Sequence, residues 1–225
     1  MLLLSIDIGI KNLAHCLLQV GDTVQILDWG VIDLNDTTKC SCCVKPAFYR
    51  MSTGMCFCKK HIPILPKVQG LAKQELEVIC VANGINPSSR SEMAIALTAF
   101  KKRETIKPRN MVEISRAIAL AYERFPQVDV VLVENQMATK MAVIQGMVIQ
   151  YWVLKCKVDV VSPANKLKML NAGKTTYAER KKLSVAHTRT LLKSLGLNET
   201  EFETHRKKDD LADTFLQAMW YIKKD

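Results

Sequence analysis

The first twenty-one residues, MLLLSIDIGIKNLAHCLLQVG (1–21), enclose a single acid, Asp7, in an apolar run. An unpaired carboxylate in such a setting is costly to bury. Asp7 must either face water at a strand edge or hold a cation. Residues 2–8 read as a buried strand. Residues 13–20 and 23–32 read as a hairpin turning at Gly21-Asp22, so the chain opens with three strands.

Further along, VDVVLVEN (128–135) and KVDVVSP (157–163) are two more strands by their β-branched content. Asn110 and Glu113 form a capping box ahead of Ile114, Ala117, Ile118, Ala121 and Tyr122 at helical spacing. Residues 138–155 read as a helix, Thr176 and Glu179 cap another running to about Leu195, and 209–223 form the last. The helix at 138–155 is apolar on more than one face, which fits either burial in its own domain or a dimer surface. GKTT (173–176) lacks the first glycine of a phosphate loop, Lys168 standing in its place, and reads as a plain loop.

Between the third strand and Asn110 the character changes. Residues 36–66 are rich in Cys, Lys and Pro without periodicity. Residues 67–108 are helical in two pieces. One covers about Leu71–Ala82 and stops at Asn83-Gly84. The other starts after Ser89, with Glu92 completing a capping box, and ends in Lys101-Lys102-Arg103. The expected fold class is therefore α/β, a mixed sheet flanked by helices and built from 1–35 and 109–225. It is interrupted by a small zinc-binding module at 36–66 and a helical module at 67–108.

Apolar residues make up 48% of the 225, enough for a proper core. No run of 18 apolar residues exists, and MLLLSIDIG is too short and too acidic for a secretory signal. An intracellular protein with no membrane partner is expected. Net charge is +10 and uneven. Residues 1–36 hold one base and five acids, whereas 37–110 hold thirteen bases and four acids. A positive surface suits a polyanion as well as plain solubility.

Five of the eight cysteines fall in residues 40–58, within CSCCVKPAFYRMSTGMCFCKKH (40–61). In an intracellular chain this favours metal over disulfides. Cys40, Cys43, Cys58 and His61 give C-x2-C, fourteen residues, then C-x2-H, a spacing suited to one structural Zn²⁺. Cys42 and Cys56 are the possible substitutes. Cys16, Cys80 and Cys156 lie in apolar elements and read as core.

Asp7 is joined by Glu134, at the end of VVLVE, and by Asp209, Asp210 and Asp213 in KKDDLADTF (207–215). Acids in the first turn of a helix also suit its dipole, so the last group alone does not require a metal. Residues three or four apart share a helical face, so Asp213 can pair with Asp210 or Asp209, and two strand acids with such a helical pair can converge on Mg²⁺. Two such ions activate water and stabilise the leaving oxygen of a phosphodiester.

SIDIGIKNLA, VLVENQ, VVSPANKL, YAERKKLSV and KKDDLADTFLQA, in this order, resemble the RuvC-type Holliday-junction resolvases of the ribonuclease H-like superfamily, in their poxvirus, iridovirus and mitochondrial branch. The resemblance covers residues 1–34 and 110–225. It implies a ribonuclease H-like core and a metal-dependent endonuclease making paired nicks in four-way DNA junctions as a homodimer. It implies Asp7, Glu134, Asp210 and Asp213 as ligands of two Mg²⁺ or Mn²⁺ ions, with Asp210 preferred to Asp209 by the D-x-x-D spacing. It implies Lys182 as a catalytic lysine with Lys181 close behind, and Lys11 and Asn12 beside the phosphate where Gly9 lets the backbone turn. A viral protein acting in its host cell is the implied source. The helix pair at 67–108 is similar to a SAP-type DNA-binding unit, with Lys101, Lys102 and Arg103 as DNA contacts. Rival functions are another ribonuclease H-like nuclease acting on RNA–DNA hybrids or flaps, a non-catalytic DNA-binding protein, and a zinc-dependent scaffold.

Overall fold

The structure, a computed structural model, describes residues 1–35, 38–63, 70–86, 89–101, 103–169 and 175–224. Lys102, the Lys101 side chain and Gly173-Lys174 lie outside the described residues. The chain divides into two compact units: Met1–Asn35 with Arg109–Asp225, and Asp36–Pro108.

The first unit opens with β1 (Leu2–Asp7), β2 (Leu13–Val20) and β3 (Val24–Ile32). The second unit follows, with β4 (Tyr49–Met51), β5 (Cys56–Phe57), α1 (Lys73–Ala82), α2 (Arg90–Lys101) and β6 (Arg103–Thr105). The chain then completes the first unit with α3 (Met111–Tyr122), β7 (Val130–Glu134), α4 (Thr139–Trp152), β8 (Lys157–Val161), α5 (Ala164–Met169), α6 (Tyr177–Ser194), α7 (Thr200–Thr204) and α8 (Lys208–Lys223).

The first unit is a five-stranded mixed sheet in the order β3-β2-β1-β7-β8. β1 is its centre, antiparallel to β2 and parallel to β7. Both faces of β1 are covered, which is why its sequence is continuously apolar. Successive side chains of a strand alternate between faces, and the two cores follow that parity. Leu4 and Ile6 of β1 join Val131 and Val133 of β7 beneath α3 and α4. Leu3 joins Val130 and Leu132 on the other face, beneath α8. Ser5 lies on that second face as well, where Gln217 of α8 donates to its hydroxyl at 3.1 Å.

Parity then fixes the acids. Asp7 and Glu134 are the next odd and even members of those rows, so both point to the α8 side at neighbouring strand ends, where Ile6 pairs with Val133. Asp213 lies four residues, about one helical turn, before Gln217. A turn of helix advances about as far as two strand residues. Asp213 therefore stands opposite Asp7 as Gln217 stands opposite Ser5.

The start of α8 is held by Trp29 of β3. Its indole stacks on Phe202 of α7, centroids 5.2 Å apart. Its Nε1–H donates to the Leu211 carbonyl at 3.1 Å and lies 3.2 Å from Thr214 Oγ1. The helix bearing Asp210 and Asp213 is thus locked in rotation. α4 buries Ile144, Gln145, Val148 and Trp152 in its own unit, so its apolar content serves first the core it belongs to.

The expected capping boxes form at Asn110–Glu113 and Thr176–Glu179. Two short helices, α5 and α7, are additional to the sequence expectation. Immediately after Asp7 the backbone turns through Gly9. A Cβ there would collide with the Asn12 carbonyl oxygen. Gly9 thus answers to the turn's own packing, not only to the approach of a phosphate.

In the second unit, β4, β5 and β6 form a three-stranded sheet in the order β5-β4-β6. Strands of two or three residues show no period, so sequence patterning did not reveal them. Arg103, expected to end the second helix of that module, instead opens β6 beside Met51 of β4. α1 stops at Asn83, with Gly84 at φ +68°. Ser89 and Glu92 exchange backbone and side-chain hydrogen bonds at the start of α2. Leu76, Cys80, Met93 and Leu97 form the core between α1 and α2. A second small core holds Cys40, Met51, Phe57 and Cys58, and Ile85 packs against both.

Gly9→Ala is expected to destabilise the chain by about 1–3 kcal/mol, the usual cost of inserting a carbon into filled space. Gly21→Ala, where a Cβ meets nothing, is expected to leave the thermal midpoint nearly unchanged. Thermal unfolding of the two variants compares them directly.

Candidate active site and metal centre

The carboxylates converge on a cavity of about 520 Å³ lined by Asp7, Glu134, Asp210 and Asp213. Cations share its wall, with Lys166 from α5 and Arg180 and Lys181 from α6. Lys166 lies at the centre. Its Nζ is 2.7 Å from Glu134 Oε1 and 2.7 Å from Asp213 Oδ2. Burial works against the ammonium, but Asp213 and Glu134 hold it charged above the usual lysine range.

The acids are under electrostatic pressure. Burial raises Asp7 well above the ordinary aspartate value, and the nearby Glu134, which shares a hydrogen bond with it, raises it further. Asp213 is raised by burial despite Lys166. Asp210 is raised by burial and by the adjacent Asp209. Its Oδ2 is buried with no hydrogen-bond partner among the described residues, and Lys207 Nζ stands 3.7 Å away. Asp209 differs: burial raises it, but its hydrogen bond and ion pair with Lys181 bring it below the usual value. Asp209 is also absent from the cavity wall.

This donor set fits a divalent cation. Hard carboxylate oxygens crowd a poorly solvated space, one buried oxygen is unpartnered, and an ammonium already occupies the place between two acids. Each of Asp7, Glu134, Asp210 and Asp213 would be available to ligate once Lys166 yields.

α6 decides which lysine faces the cavity. Tyr177, Arg180, Lys181 and Ser184 line it, at i, i+3, i+4 and i+7 of one helical face. Lys182, implied by motif position, falls about 100° around the helix and is exposed outside the cavity wall. The structure brings Lys181 to the acids in its place. Lys11 is exposed and Asn12 half-buried, and neither lines the cavity. Arg103 belongs to the second unit, where it is exposed. Sequence reasoning missed Lys166 and Arg180. Lys166 sits inside the quoted segment VVSPANKL, three residues past Pro163, but nothing in its spacing distinguishes it from Lys168.

The second cluster lies in the second unit. The ligand atoms of Cys40, Cys43, Cys58 and His61 all fall within 4.8 Å of one another. Cys40 Sγ is 3.7 Å from His61 Nδ1, and Cys43 Sγ is 4.0 Å from Cys58 Sγ. Sulfurs bound at ~2.3 Å around a tetrahedral ion stand at about these separations. Two tight turns shape the site: Cys43 N–H donates to the Cys40 carbonyl and His61 N–H to the Cys58 carbonyl. Burial raises the Cys40 thiol, but backbone N–H groups of Cys58 and Cys42 and the His61 ring bring it down to about 6. Such a cluster could hold zinc. Cys42 is exposed, and Cys56 Sγ contacts the Gly54 carbonyl instead. Cys16 and Cys80 are buried and Cys156 half-buried, as core residues should be.

Opposite responses are expected from two substitutions in metal-free protein at neutral pH. Lys166→Ala should lose roughly 3–5 kcal/mol of stability, because buried acids lose the ammonium that pairs with them. Asp7→Asn should gain stability. A carboxyl whose folded-state pKa is raised takes up protons on folding, so it stabilises least above that pKa. The asparagine removes that loss, which grows as pH rises above the ordinary aspartate value. Denaturant titrations across that pH range, with chelator present, measure both.

A family model for the poxvirus A22 protein matches residues 79–224. Solved structures of similar fold include the fowlpox virus Holliday junction resolvase, at 15% identity and a TM-score of 0.56 over 100% of both chains. The same virus's resolvase in complex with its substrate Holliday junction DNA gives 15% identity and 0.53, over 100% of this chain and 98% of that one. The yeast mitochondrial Holliday junction resolvase Ydc2 gives 16% identity and 0.54, over 98% of this chain and 78% of that one. No curated protein matches the sequence closely enough to count as a relative. At these identities the structural likeness establishes the ribonuclease H-like fold of the first unit. The family match spans more than half the chain, and the chain belongs to the poxvirus A22 family of resolvases.

Proposed function

We propose that this chain is a metal-dependent endonuclease that resolves four-way DNA junctions by paired nicks, acting as a homodimer. The observation that carries it is the convergence of Asp7, Glu134, Asp210 and Asp213, from two strands and one helix, on a cavity that Lys166, Arg180 and Lys181 also line. Two Mg²⁺ or Mn²⁺ ions held by these acids supply an activated water and a stabilised leaving oxygen. These cations have the complementary task. Lys181, held by Asp209, and Arg180 face the position where a bridging phosphate gathers negative charge, which preorganised donors stabilise. Lys166, which lines the same cavity, would have its ammonium free for that phosphate with Glu134 and Asp213 holding metal. Lys11 and Asn12 flank the Gly9 turn and meet the backbone of the bound strand.

A resolvase must cut two opposed strands, and a two-fold dimer matches the symmetry of the junction. The second unit is an accessory module whose four-ligand site holds one Zn²⁺. Its helix pair and the Lys101-Lys102-Arg103 run contribute positive charge toward DNA. A viral protein acting inside its host cell is consistent with the family, and no helix among the described residues is long and apolar enough to cross a membrane.

The test is a panel of labelled four-way junctions, duplexes, flaps and RNA–DNA hybrids with Mg²⁺. Junctions should be cut preferentially. Equal or faster cutting of hybrids would replace this reading with the broader ribonuclease H-like one. Asp7→Asn, Glu134→Gln, Asp210→Asn and Asp213→Asn should each abolish cutting while junction binding survives. Asp209→Asn should retain activity with a weakened contribution from Lys181. Lys181→Ala should lower kcat roughly 100-fold or more, by analogy with loss of one oxyanion donor. Lys182→Ala should leave kcat within a few-fold of wild type, and a reversed order would return the role to Lys182. On a supercoiled cruciform, wild-type protein should give linear product and mixtures with Asp7→Asn should give nicked circles.

Metal analysis should find one zinc per chain, lost in Cys43→Ser or Cys58→Ser and retained in Cys42→Ser. Retention of zinc by Cys58→Ser would exclude this ligand set.

A further inference from the structure

The second unit presents two aromatic rings that its own cores do not use. Phe48 and Tyr49 stand edge to face at the start of β4, centroids 4.8 Å apart. Both are half-buried, and neither joins the core built from Cys40, Met51, Phe57 and Cys58. Each ring carries a cation over it. Lys59 Nζ lies 4.3 Å from the Phe48 centroid, and the Arg103 guanidinium lies 4.5 Å from that of Tyr49.

The four-ligand site places this pair of contacts. Lys59 directly follows Cys58. Phe48 is fixed through its own backbone, its N–H donating to the Phe57 carbonyl at 2.8 Å and its carbonyl accepting from Ile106 N–H at 2.9 Å. Between Lys39 and His61 there are five lysines and arginines and no acid. Three thiolates and one Zn²⁺ would offset only one of those charges. Cations next to a folded apolar surface usually serve solubility. Here each is placed against a ring that the core leaves uncovered.

A ring beside a cation, repeated once, matches the chemistry that holds unpaired nucleotides: a base stacks on the ring and its phosphate meets the cation. An intact duplex would use the charges but has no free base face for the rings. We propose that this face of the zinc-binding unit binds single-stranded DNA, gripping the unpaired nucleotides exposed where the strands of a junction exchange. The choice of DNA rests on the nuclease reading above; the stacking itself does not.

The test uses the full chain carrying Asp7→Asn, loaded with zinc, so that nothing is cut. Binding of a labelled oligothymidylate and of a matched duplex is titrated over a series of salt concentrations. Replacing Phe48 and Tyr49 together by leucine keeps apolar bulk and removes the ring faces. This double variant should lose at least about tenfold in affinity for the oligomer, with little change for the duplex. Its salt dependence and zinc content should match the parent. Lys59→Gln and Arg103→Gln should each instead flatten the log–log salt slope by roughly 0.7 on the oligomer. Unchanged oligomer affinity in a zinc-loaded leucine variant would overturn the proposal, as would an equal loss on oligomer and duplex. If the double variant sheds zinc, Tyr49→Leu alone is read in the same way. Mg²⁺-dependent junction cutting by the chain with Asp7 intact is followed in parallel. Its failure would strike the nuclease reading and leave the stacking result standing.

Discussion

Lys166 stands where three buried or half-buried acids would otherwise repel one another. Two contacts of 2.7 Å, to Glu134 and Asp213, tie the end of β7 to α8 through one ammonium. Removing the ammonium from such a set leaves buried acids unpaired, which costs far more than the pair contributes. The packing around it is arranged accordingly. Trp29 fixes the rotation of α8, Gln217 pins the helix to Ser5, and the strand rows bring Asp7 and Glu134 to adjacent ends. The geometry of the site therefore follows from the core beneath it, and the lysine makes that geometry tolerable before any metal arrives.

Much of this was legible in the residues, and the reasons differ from element to element. Asp7 and Glu134 could be found because a charge at the end of an apolar strand breaks a pattern. Asp213 could be found because its spacing from Asp210 is that of one helical face. The zinc register was legible because Cys and His pairs have few other uses at that spacing. Lys182 was singled out by counting along a motif, and the cavity is lined by its neighbour Lys181. The buried residues Ser184, Thr188 and Leu192 mark the inward stripe of α6, and following that stripe back reaches Lys181. Lys166 had no such marker, since its partners come from β7 and α8 and only the folded chain assembles them. β4, β5 and β6 were invisible because two or three residues cannot display alternation, and because β6 reaches β4 from the far side of both helices.

The two candidate metal centres differ in how they prepare for an ion. Around Cys40, Cys43, Cys58 and His61 the backbone turns have already brought the ligand atoms together, and soft thiolates define the preference. At the acids an internal ammonium bridges Glu134 and Asp213, and Asp7, Asp210 and Asp213 carry raised pKa values. A metal held there would take over the place between Glu134 and Asp213 that the Lys166 ammonium fills. The first arrangement suits an ion that stays with the fold, the second an ion that comes with the substrate.

The position of the second unit within the chain has a consequence for synthesis. It enters after β3 and leaves before α3, with Arg109 donating to the Leu34 carbonyl at 2.6 Å where the two ends meet the first unit. β1, the central strand, thus waits for its parallel neighbour β7 until residue 130 has left the ribosome. At ordinary elongation rates that delay is on the order of ten seconds. Throughout it the first hairpin presents Leu2–Asp7 as an unpaired apolar edge, the kind of template on which chains aggregate. The second unit, whose cores are local, can close during that interval and shorten the loop that β7 must span. A metal taken up by the four-ligand cluster during translation would then raise soluble yield, separately from anything the finished enzyme does with DNA.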